Sequence, residues 1–375
     1  MRKGIKAILR RPAACAVNVR GRLSARKAGI VVLYHRVGPD PPGCVDHLDL
    51  CLASPTFEAH MRLLKRRYRV VPASELQAAV RRRKRFHRFP AAITFDDDSP
   101  THARTSMPIL ARLRLPAIFF VCGRSLEQPH SFWWERMELA LGRGTIDEQW
   151  LRAAIPPGPD EPRTDSRRVR QIAADVELMA PEARDAFAEE LGRRAGPDPE
   201  DAGMREADIR ALSSAGFEVG FHTARHYNLT VLDDGQLAAA MREGREEIER
   251  VVGERIDAIA YPGGRSDRRV VAAARAADFG IGFTTSSASV LPTSDPMLLG
   301  RLSVPNDTSR GRFAFRMASI LRHGPPPAAG RRDAQRGEAA RTDLRWSRRP
   351  ALAAPWLIFA ALIFVLLYLG VGIGA

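Results

Sequence analysis

The chain alternates short apolar runs with longer segments in which apolar residues recur at helical spacing. The runs at residues 29–34, 91–95 and 117–121 have the length and the β-branched or aromatic content of buried strands. Residues 101–113 have the spacing of a helix, so together with the two strands that flank them they form a strand–helix–strand unit. Such a unit is typical of a parallel sheet with right-handed crossovers.

The same alternation continues on both sides of one long interruption. Further helices are predicted from Ser54 and at residues 74–80, 206–215, 234–252, 268–277 and 313–321, and further strands at 70–71, 217–221, 257–261, 280–284 and 302–304. Residues 125–200 break the rhythm with a charged helical stretch that begins at Phe132-Trp133-Trp134. We therefore predict an α/β fold whose parallel sheet is open or closed into a barrel, with a helical insertion at about 125–200.

The C-terminal part of the chain has a different character. Residues 351–375 carry no charge and supply the roughly 20 apolar residues that a transmembrane helix needs. Trp356 and Tyr368 suit interfacial positions, and the Arg residues of the Pro- and Arg-rich linker 324–350 favour the cytoplasmic side. The sequence therefore predicts a single-pass membrane protein whose large domain, residues 30–323, lies in the cytoplasm.

The charge balance is strongly basic, with a formal net charge of +15. We predict no nucleic-acid partner, because the Arg residues are spread along the chain without a recognised binding motif. The linker and the basic stretch 81–88 are instead expected to attract anionic lipid headgroups. The N-terminal segment 1–29 is basic too, and is either a frayed tail or a short amphipathic helix on a membrane surface.

Cysteine usage excludes one class of site. Cys15, Cys44, Cys51 and Cys122 show no CxxC spacing. A disulfide framework or a cysteine metal site is therefore not expected, and free thiols in a reducing compartment are the better interpretation.

Polar residues follow two of the predicted strands at their carboxyl ends. Asp96 and Asp97 follow the run 91–95, and His222 and His226 follow the run 217–221. Parallel α/β sheets and barrels collect their ligand-binding groups at this edge. One carboxylate and two imidazoles can hold a divalent metal with open positions, and the second carboxylate is left to act as a base. Either pair alone is a weak signal, but together they favour a metal-dependent hydrolase.

At this point the chain resembles a known family, the polysaccharide deacetylases (the NodB homology domain, carbohydrate esterase family four). Three segments resemble the three motifs of that family in order: Thr94-Phe95-Asp96-Asp97, then His222-Thr223-Ala224-Arg225-His226 with Asn228-Leu229-Thr230, then Ala260-Tyr261-Pro262-Gly263-Gly264. Val32-Leu33-Tyr34-His35-Arg36-Val37 resembles the opening strand of one branch, and Phe132-Trp133-Trp134 resembles an insertion in some members. The resemblance covers about residues 30–304.

The resemblance implies a distorted (β/α) barrel that hydrolyses an N-acetyl group from an amino sugar. It also implies a divalent metal, commonly zinc, held by Asp97, His222 and His226, with Asp96 as the general base.

Three further residues have expected roles near the substrate. Tyr261 and Pro262 lie where the family lines its pocket, and Tyr261 is expected to offer an oxyanion donor. A structural Tyr before a Pro turn is the alternative. Thr223 either orients an imidazole or caps the strand end.

Three positions depart from the family pattern. Asp98 stands where the family usually has Gly, and its charge is expected to raise the pKa values of its neighbours. The Arg that usually holds the base is missing before the third motif, and the late Leu-x-His is absent from residues 299–303. We therefore predict that His35 protonates the leaving amine, since its unperturbed pKa lies near neutral pH. A strand-end His bonded to the loop is the alternative.

Three hypotheses for the function remain open on the sequence alone. The leading one is a membrane-tethered deacetylase of a lipid-linked or nascent amino-sugar glycan, because a tail anchor would hold the pocket near the bilayer. The second is a catalytically inactive scaffold in polysaccharide assembly, which the altered motifs allow. The third is a deformylase of an amino-sugar lipid, which would share the same chemistry.

Overall fold

The computed structural model describes residues 23–38, 51–155, 169–306 and 308–323. Within these ranges no helix is long and apolar enough to cross a membrane. The predicted transmembrane helix 351–375, the linker 324–350 and most of the basic N-terminal segment lie outside the described residues.

A curled sheet of parallel strands forms the centre of the domain. The strands are β1 (Ile30–Tyr34), β2 (Arg36–Val37), β3 (Cys51–Leu52), β4 (Arg69–Val70), β5 (Pro90–Phe95), β6 (Ile118–Val121), β7 (Glu218–Phe221), β8 (Ala258–Ala260), β9 (Ile281–Phe283) and β10 (Leu302–Ser303). Their order is β10–β1–β5–β6–β7–β8–β9; β4 also pairs with the start of β5, and β2 with β3 in a separate two-stranded sheet. All six residues of β5 are buried, as expected of a strand covered on both faces.

Two hydrogen bonds bring the ends of the sheet together. The Thr284 N–H donates to the Leu299 carbonyl at 2.9 Å, and the Leu299 N–H donates to the Gly282 carbonyl at 2.9 Å. They join β9 to the chain that runs into β10, and β10 pairs in parallel with β1. The sheet therefore curls into the distorted (β/α) barrel that the family resemblance implies.

Helices cover the outside of the sheet. They are α1 (Ser54–Arg67), α2 (Leu76–Arg82), α3 (Met107–Leu113), α4 (Trp133–Arg143), α5 (Glu148–Ala154), α6 (Val169–Val176), α7 (Pro181–Ala195), α8 (Glu206–Ser214), α9 (Asp234–Ala240), α10 (Arg245–Val252), α11 (Arg268–Ala276) and α12 (Arg310–His323). The predicted buried face of α1, formed by Phe57, Met61 and Leu64, packs into the main core. Pro55 stands in its first turn, where a missing N–H costs nothing.

The helical insertion has a core of its own. Helices α4 to α7 surround a cluster of buried apolar side chains separate from the barrel core, among them Trp133, Met137, Leu151, Ile172 and Leu191. The insertion therefore stabilises itself and meets the barrel along one side.

The single helix predicted over residues 234–252 is wrong, because the structure has two helices there, α9 and α10. The chain turns at Gly244, whose φ of +79° favours glycine. A Cβ at this position would lie 3.0 Å from the Ala224 Cβ, so the two segments approach too closely for a larger residue. Apolar spacing continues through both helices, which is why periodicity alone did not reveal the break.

His60 joins three elements of the barrel wall. It lies on α1, shares a hydrogen bond of 3.2 Å through Nδ1 with the Tyr34 hydroxyl of β1, and stacks on Phe313 of α12 with 4.2 Å between ring centroids. Burial lowers its pKa to about 4. The imidazole is therefore neutral in the folded protein at neutral pH.

Acidification should destabilise the domain through His60. The unfolded chain protonates His60 near pH 6.5, whereas the folded chain does so only near pH 4. The free energy of unfolding is therefore unaffected by this group above about pH 6.5 and decreases as the pH falls from 6.5 towards 4. The loss should reach up to about 1.4 kcal/mol per pH unit. In urea unfolding between pH 7 and pH 4.5, His60→Gln should flatten this slope. The control His87→Gln, at an exposed position, should leave the slope unchanged. Equal slopes for the wild-type protein and both variants would contradict the assignment to His60.

Candidate metal centre and active site

The carboxyl ends of β5 and β7 bring the three predicted metal ligands together. The Asp97 Oδ1 atom lies 3.4 Å from His222 Nε2 and 3.5 Å from His226 Nε2. One ligand atom from each of the three residues lies within 4.8 Å of the others. The sheet order explains this, since β5 and β7 both flank β6 and therefore end at the same edge.

These three side chains fit a divalent cation. Ligands about 2.0–2.1 Å from a tetrahedral metal lie about 3.3 Å from each other, close to the two separations observed. The Asp97 Oδ1 atom is buried and has no hydrogen-bond donor among the described residues. A buried acceptor of this kind is costly unless it is satisfied, and a cation would satisfy it.

The backbone at these ligands is strained. Asp97, Thr223 and His226 have φ values of +69°, +60° and +48°, in the left-handed region that residues with a Cβ seldom adopt. Thr223 is β-branched and therefore the most unfavourable of the three. Strain of this kind persists where the surrounding fold imposes it, and it is concentrated at functional sites.

The carbonyl of Ala260 orients the His222 ring. His222 Nδ1 donates to this carbonyl at 2.7 Å, which directs Nε2 at Asp97. The Thr223 hydroxyl is buried and has no partner among the described residues, so it does not orient this imidazole. The orienting role predicted for Thr223 is therefore filled by Ala260 in the structure.

Aromatic residues of the insertion enclose the second imidazole. The Trp134 ring lies 4.7 Å from the His226 ring, and Phe132 stacks on Trp134 at 4.6 Å. Burial lowers the pKa of His226 to about 3, so its ring is neutral and has a free lone pair at physiological pH. The insertion thus forms one wall of the site.

A buried arginine holds the predicted base. Arg301 and Asp96 form a bidentate ion pair with two bonds of 2.6 Å, and Arg301 is fully buried. The remaining guanidinium bonds go to the Thr284 carbonyl at 3.0 Å and the Thr94 hydroxyl at 3.3 Å. Burial alone would raise the pKa of Asp96, but Arg301 and then His222 bring it below its ordinary value. Asp96 is therefore ionised.

Arg301 is the functional residue that sequence reasoning missed. The family's usual arginine precedes the third motif, and its absence there suggested that the base was unsupported. The structure supplies the same contact from the segment before β10, a strand that pairs with β1. The signal available in the sequence was one charged residue inside the apolar stretch Leu299-Gly300-Arg301-Leu302.

Asp98 has a different effect from the one expected. Its carboxylate accepts the backbone N–H of Cys122 at 2.6 Å and that of Arg124 at 3.2 Å, which ties the ends of β5 and β6 together. Burial raises the pKa of Asp98 itself to about 6, whereas the pKa values of Asp96 and Asp97 are both lowered. The expected rise at the neighbouring carboxylates is wrong, because their imidazole and guanidinium partners outweigh the third charge.

His35 lies at the edge of the same site. Its Nε2 atom is 3.9 Å from Asp97 Oδ2, whereas the two imidazoles approach the other oxygen of that carboxylate. The His35 carbonyl accepts a bond of 3.1 Å from His102 Nε2, which fixes the backbone at the end of β1. The ring is partly accessible and has no fixed partner at Nδ1 among the described residues. Its role as an acid stays a prediction.

Tyr261 does not offer the predicted oxyanion donor. Its backbone N–H donates to the Phe283 carbonyl at 3.0 Å and its hydroxyl to the Met297 carbonyl at 3.0 Å. Both donors are therefore used within the barrel wall, and the structural alternative for this residue is the better one. Pro262 is buried at the start of the following turn, and its contact with substrate stays a prediction.

Comparison with known proteins identifies the family to which the sequence is similar. A sequence model described as polysaccharide deacetylase matches residues 83–281, more than half of the chain. No curated protein matches it.

Solved structures share the fold. A Streptococcus pyogenes deacetylase, determined with acetate, has a TM-score of 0.53 at 14% identity, with 77% of this chain and 98% of that chain covered. A Bacillus cereus polysaccharide deacetylase has a TM-score of 0.51 at 16% identity, with 77% and 69% covered. A de-N-acetylase from Aggregatibacter actinomycetemcomitans has a TM-score of 0.51 at 14% identity, with 77% and 99% covered. At these sequence identities, the structural similarity shows that the chains share a fold.

Removing Arg301 should expose the cost of an unpaired buried carboxylate. We expect Arg301→Met to lower the free energy of unfolding by about 3–5 kcal/mol. The double variant Arg301→Met/Asp96→Asn should recover much of this loss, because no buried charge remains. Urea unfolding of Arg301→Met, Asp96→Asn and the double variant measures the coupling energy between the two side chains.

The ion pair Arg136–Asp198 provides the matched control. Its Nη2–Oδ2 distance is similar, at 2.7 Å, but its side chains are 19% and 13% exposed. Arg136→Met should therefore cost less than Arg301→Met. A loss at Arg301 no larger than that at Arg136 would contradict the buried-pair interpretation.

Proposed function

The chain belongs to the polysaccharide deacetylase family and is a hydrolase of carbon–nitrogen bonds other than peptide bonds, and from this premise we propose that it removes N-acetyl groups from an amino-sugar polysaccharide with the help of a divalent cation. The observation that carries the proposal is the joint geometry of Asp97, His222 and His226 beside an ionised, arginine-held Asp96.

The ligand set favours zinc. Two neutral imidazoles and one carboxylate are a common donor set of catalytic zinc sites, which keep a further position open. When bound, such a cation polarises the acetyl carbonyl and lowers the pKa of water.

Asp96 acts as the general base in this proposal. Its ionised carboxylate is 3.7 Å through Oδ2 from His222 Nε2, so it lies beside the proposed ligands without being one of them. It accepts the proton of the attacking water, and Arg301 keeps its two oxygens in a fixed plane while it does so. A rigid base spends no free energy on reorganisation at the moment of attack.

His35 and the turn after β8 complete the chemistry. His35 donates its proton to the departing amine nitrogen, which would otherwise leave as a poor, charged leaving group. The N–H of Gly263 has no acceptor among the described residues, and this turn follows Ala260, which bonds His222. We therefore propose Gly263, in place of Tyr261, as the donor to the carbonyl oxygen.

The arginine-held base weakens the case for an inactive scaffold. That alternative rested on the missing motif arginine and on the charge of Asp98. Arg301 supplies the contact, and Asp98 bonds backbone N–H groups while its neighbours keep low pKa values. An active enzyme is therefore the function that the site supports best.

We also propose that the catalytic domain lies in the cytoplasm, tethered to the membrane by residues 351–375. The support comes from the uncharged length of that segment and the Arg-rich linker before it.

Activity should depend on the cation and on its carboxylate ligand. Acetate release from a panel of N-acetylated glycans should disappear with a chelator and return on adding Zn²⁺. Asp97→Ala should lose both the acetate release and the stoichiometric metal, measured by elemental analysis of the purified protein. The exposed control Asp201→Ala should keep both. Full activity of Asp97→Ala in chelator would refute the metal proposal.

Replacing His35 should separate a proton donor from a structural residue. For an N-acetylated sugar we expect His35→Gln to lower kcat by about 10²–10⁴-fold. For p-nitrophenyl acetate the loss should be small, because its leaving group needs no proton. Equal losses on both substrates would indicate a positioning role, and unchanged turnover on both would remove His35 from the mechanism.

A further inference from the structure

The amino-terminal end of the barrel gathers several basic segments. The turn between α2 and β5 contacts both the segment before β1 and the end of α1: Arg85 Nε donates to the Leu23 carbonyl at 2.8 Å, and Arg88 Nη1 donates to the Lys65 carbonyl at 3.1 Å. The last helix ends there too, because Arg26 Nη1 donates to the Arg322 carbonyl at 2.6 Å.

This surface is rich in exposed cations. We call it the basic face and define it by the exposed residues Lys65, Arg81, Arg82, Lys84, Arg85 and Arg88. No Asp or Glu occurs in residues 59–74 or 76–95, which carry the six cations. Glu75 lies between these stretches, and the Glu218 carboxylate at the start of β7 accepts the backbone N–H groups of Ala73 and Ser74. Among the described residues, none of the six pairs with a carboxylate. Their charges therefore add up instead of cancelling.

An exposed aromatic ring stands in the middle of these charges. Phe86 is 59% exposed, the highest value among the large hydrophobic residues that the structure describes as exposed. Its φ is +70°, and the Arg85 guanidinium lies 4.9 Å from its ring centroid. One exposed apolar residue is ordinary on a protein surface. A strained, projecting ring surrounded by cations has the composition of an interfacial anchor.

We propose that the basic face docks on an anionic lipid bilayer, with Phe86 entering the headgroup region. Besides charge complementarity, the exit point of the chain supports this occupant. The described structure ends at His323, next to the basic face, and the 27 residues 324–350 then lead to the apolar segment 351–375. A chain of 27 residues reaches at most about 90–95 Å when fully extended. It keeps the domain near the surface in any orientation, so the charges decide which face meets the lipid.

This docking turns the catalytic site away from the bilayer. The basic face lies at the amino ends of β4 and β5, and the site lies at the carboxyl ends of β5 and β7. The six residues of β5 separate the two ends by about 17 Å.

The orientation narrows the substrate class. A sugar bonded directly to a lipid carrier in the same bilayer would meet the wrong end of the barrel, so the residue deacetylated is one that a polymer carries farther from the surface. The sequence-based expectation of a pocket next to the bilayer is thereby reversed. The docking rests on the proposed membrane tether, and the substrate class rests in addition on the proposed deacetylation.

Fluorescence quenching in lipid nanodiscs tests the orientation on the full chain. Phe86→Trp reports the basic face. Leu178→Trp is the matched control, since Leu178 is 53% exposed and lies on the insertion, beside Glu177, which accepts a bond from Trp133. Each variant is compared with the wild-type protein, so that the signal of the five native Trp residues is subtracted. The quencher is a brominated acyl chain in discs of phosphatidylglycerol and phosphatidylcholine.

We expect the emission added by Phe86→Trp to be quenched strongly in the anionic discs and the emission added by Leu178→Trp to be unaffected. Quenching at position 178 instead would show that the catalytic end meets the bilayer, and quenching at neither position would show a tether without docking. Either result overturns the proposal. Near-UV circular dichroism and acetate release from a soluble glycan, measured on the same discs, establish that the variants are folded and keep failure of the chemistry distinguishable from failure of docking.

Charge reversal tests the electrostatic part. Arg81→Glu/Arg82→Glu/Lys84→Glu in the Phe86→Trp chain should abolish the extra quenching, as should high salt or discs of phosphatidylcholine alone. A control reversal of three exposed residues elsewhere, Arg242→Glu/Arg250→Glu/Arg268→Glu, should leave it unchanged. Equal effects of the two triple variants would show that net charge, and not the basic face, attracts the protein to lipid.

Discussion

The buried ion pair between Arg301 and Asp96 is the constraint on which the site depends. Two charges removed from water are tolerated only when they are paired and hydrogen-bonded, and Arg301 uses four of its five N–H donors in bonds to Asp96, Thr94 and the Thr284 carbonyl. Those partners come from β5 and from the end of β9. The pair can therefore form only when the barrel has closed, so the protonation state of Asp96 is linked to the fold itself.

Closure also explains how strained ligands are held in place. Asp97, Thr223 and His226 have left-handed backbone conformations in the loops that follow β5 and β7, and Trp134 of the insertion packs against the His226 ring. The rigid strand ends and the insertion wall together leave these residues no relaxed alternative. The insertion thus supports the candidate metal ligand His226, although it has its own core.

The parallel sheet gives the domain two chemically different ends. All strand carboxyl ends meet at one edge, where the acidic and imidazole side chains collect, and the amino ends meet at the other, where the basic face lies. A protein with this polarity can use one end for catalysis and the other for attachment. The two functions then place separate demands on separate sets of residues.

Much of this arrangement was determined by the sequence alone. Apolar runs and helical spacing predicted the strands and most helices, and the motifs at Asp96, Asp97, His222 and His226 predicted the ligand cluster, because strand carboxyl ends converge in a parallel sheet. Contacts between residues distant in the chain were decided only by the tertiary structure. Arg301 reaches Asp96 across 205 positions, Ala260 orients His222, and Gly244 breaks a helix against Ala224. Such contacts depend on barrel closure and close packing, which the local periodicity of the sequence cannot predict.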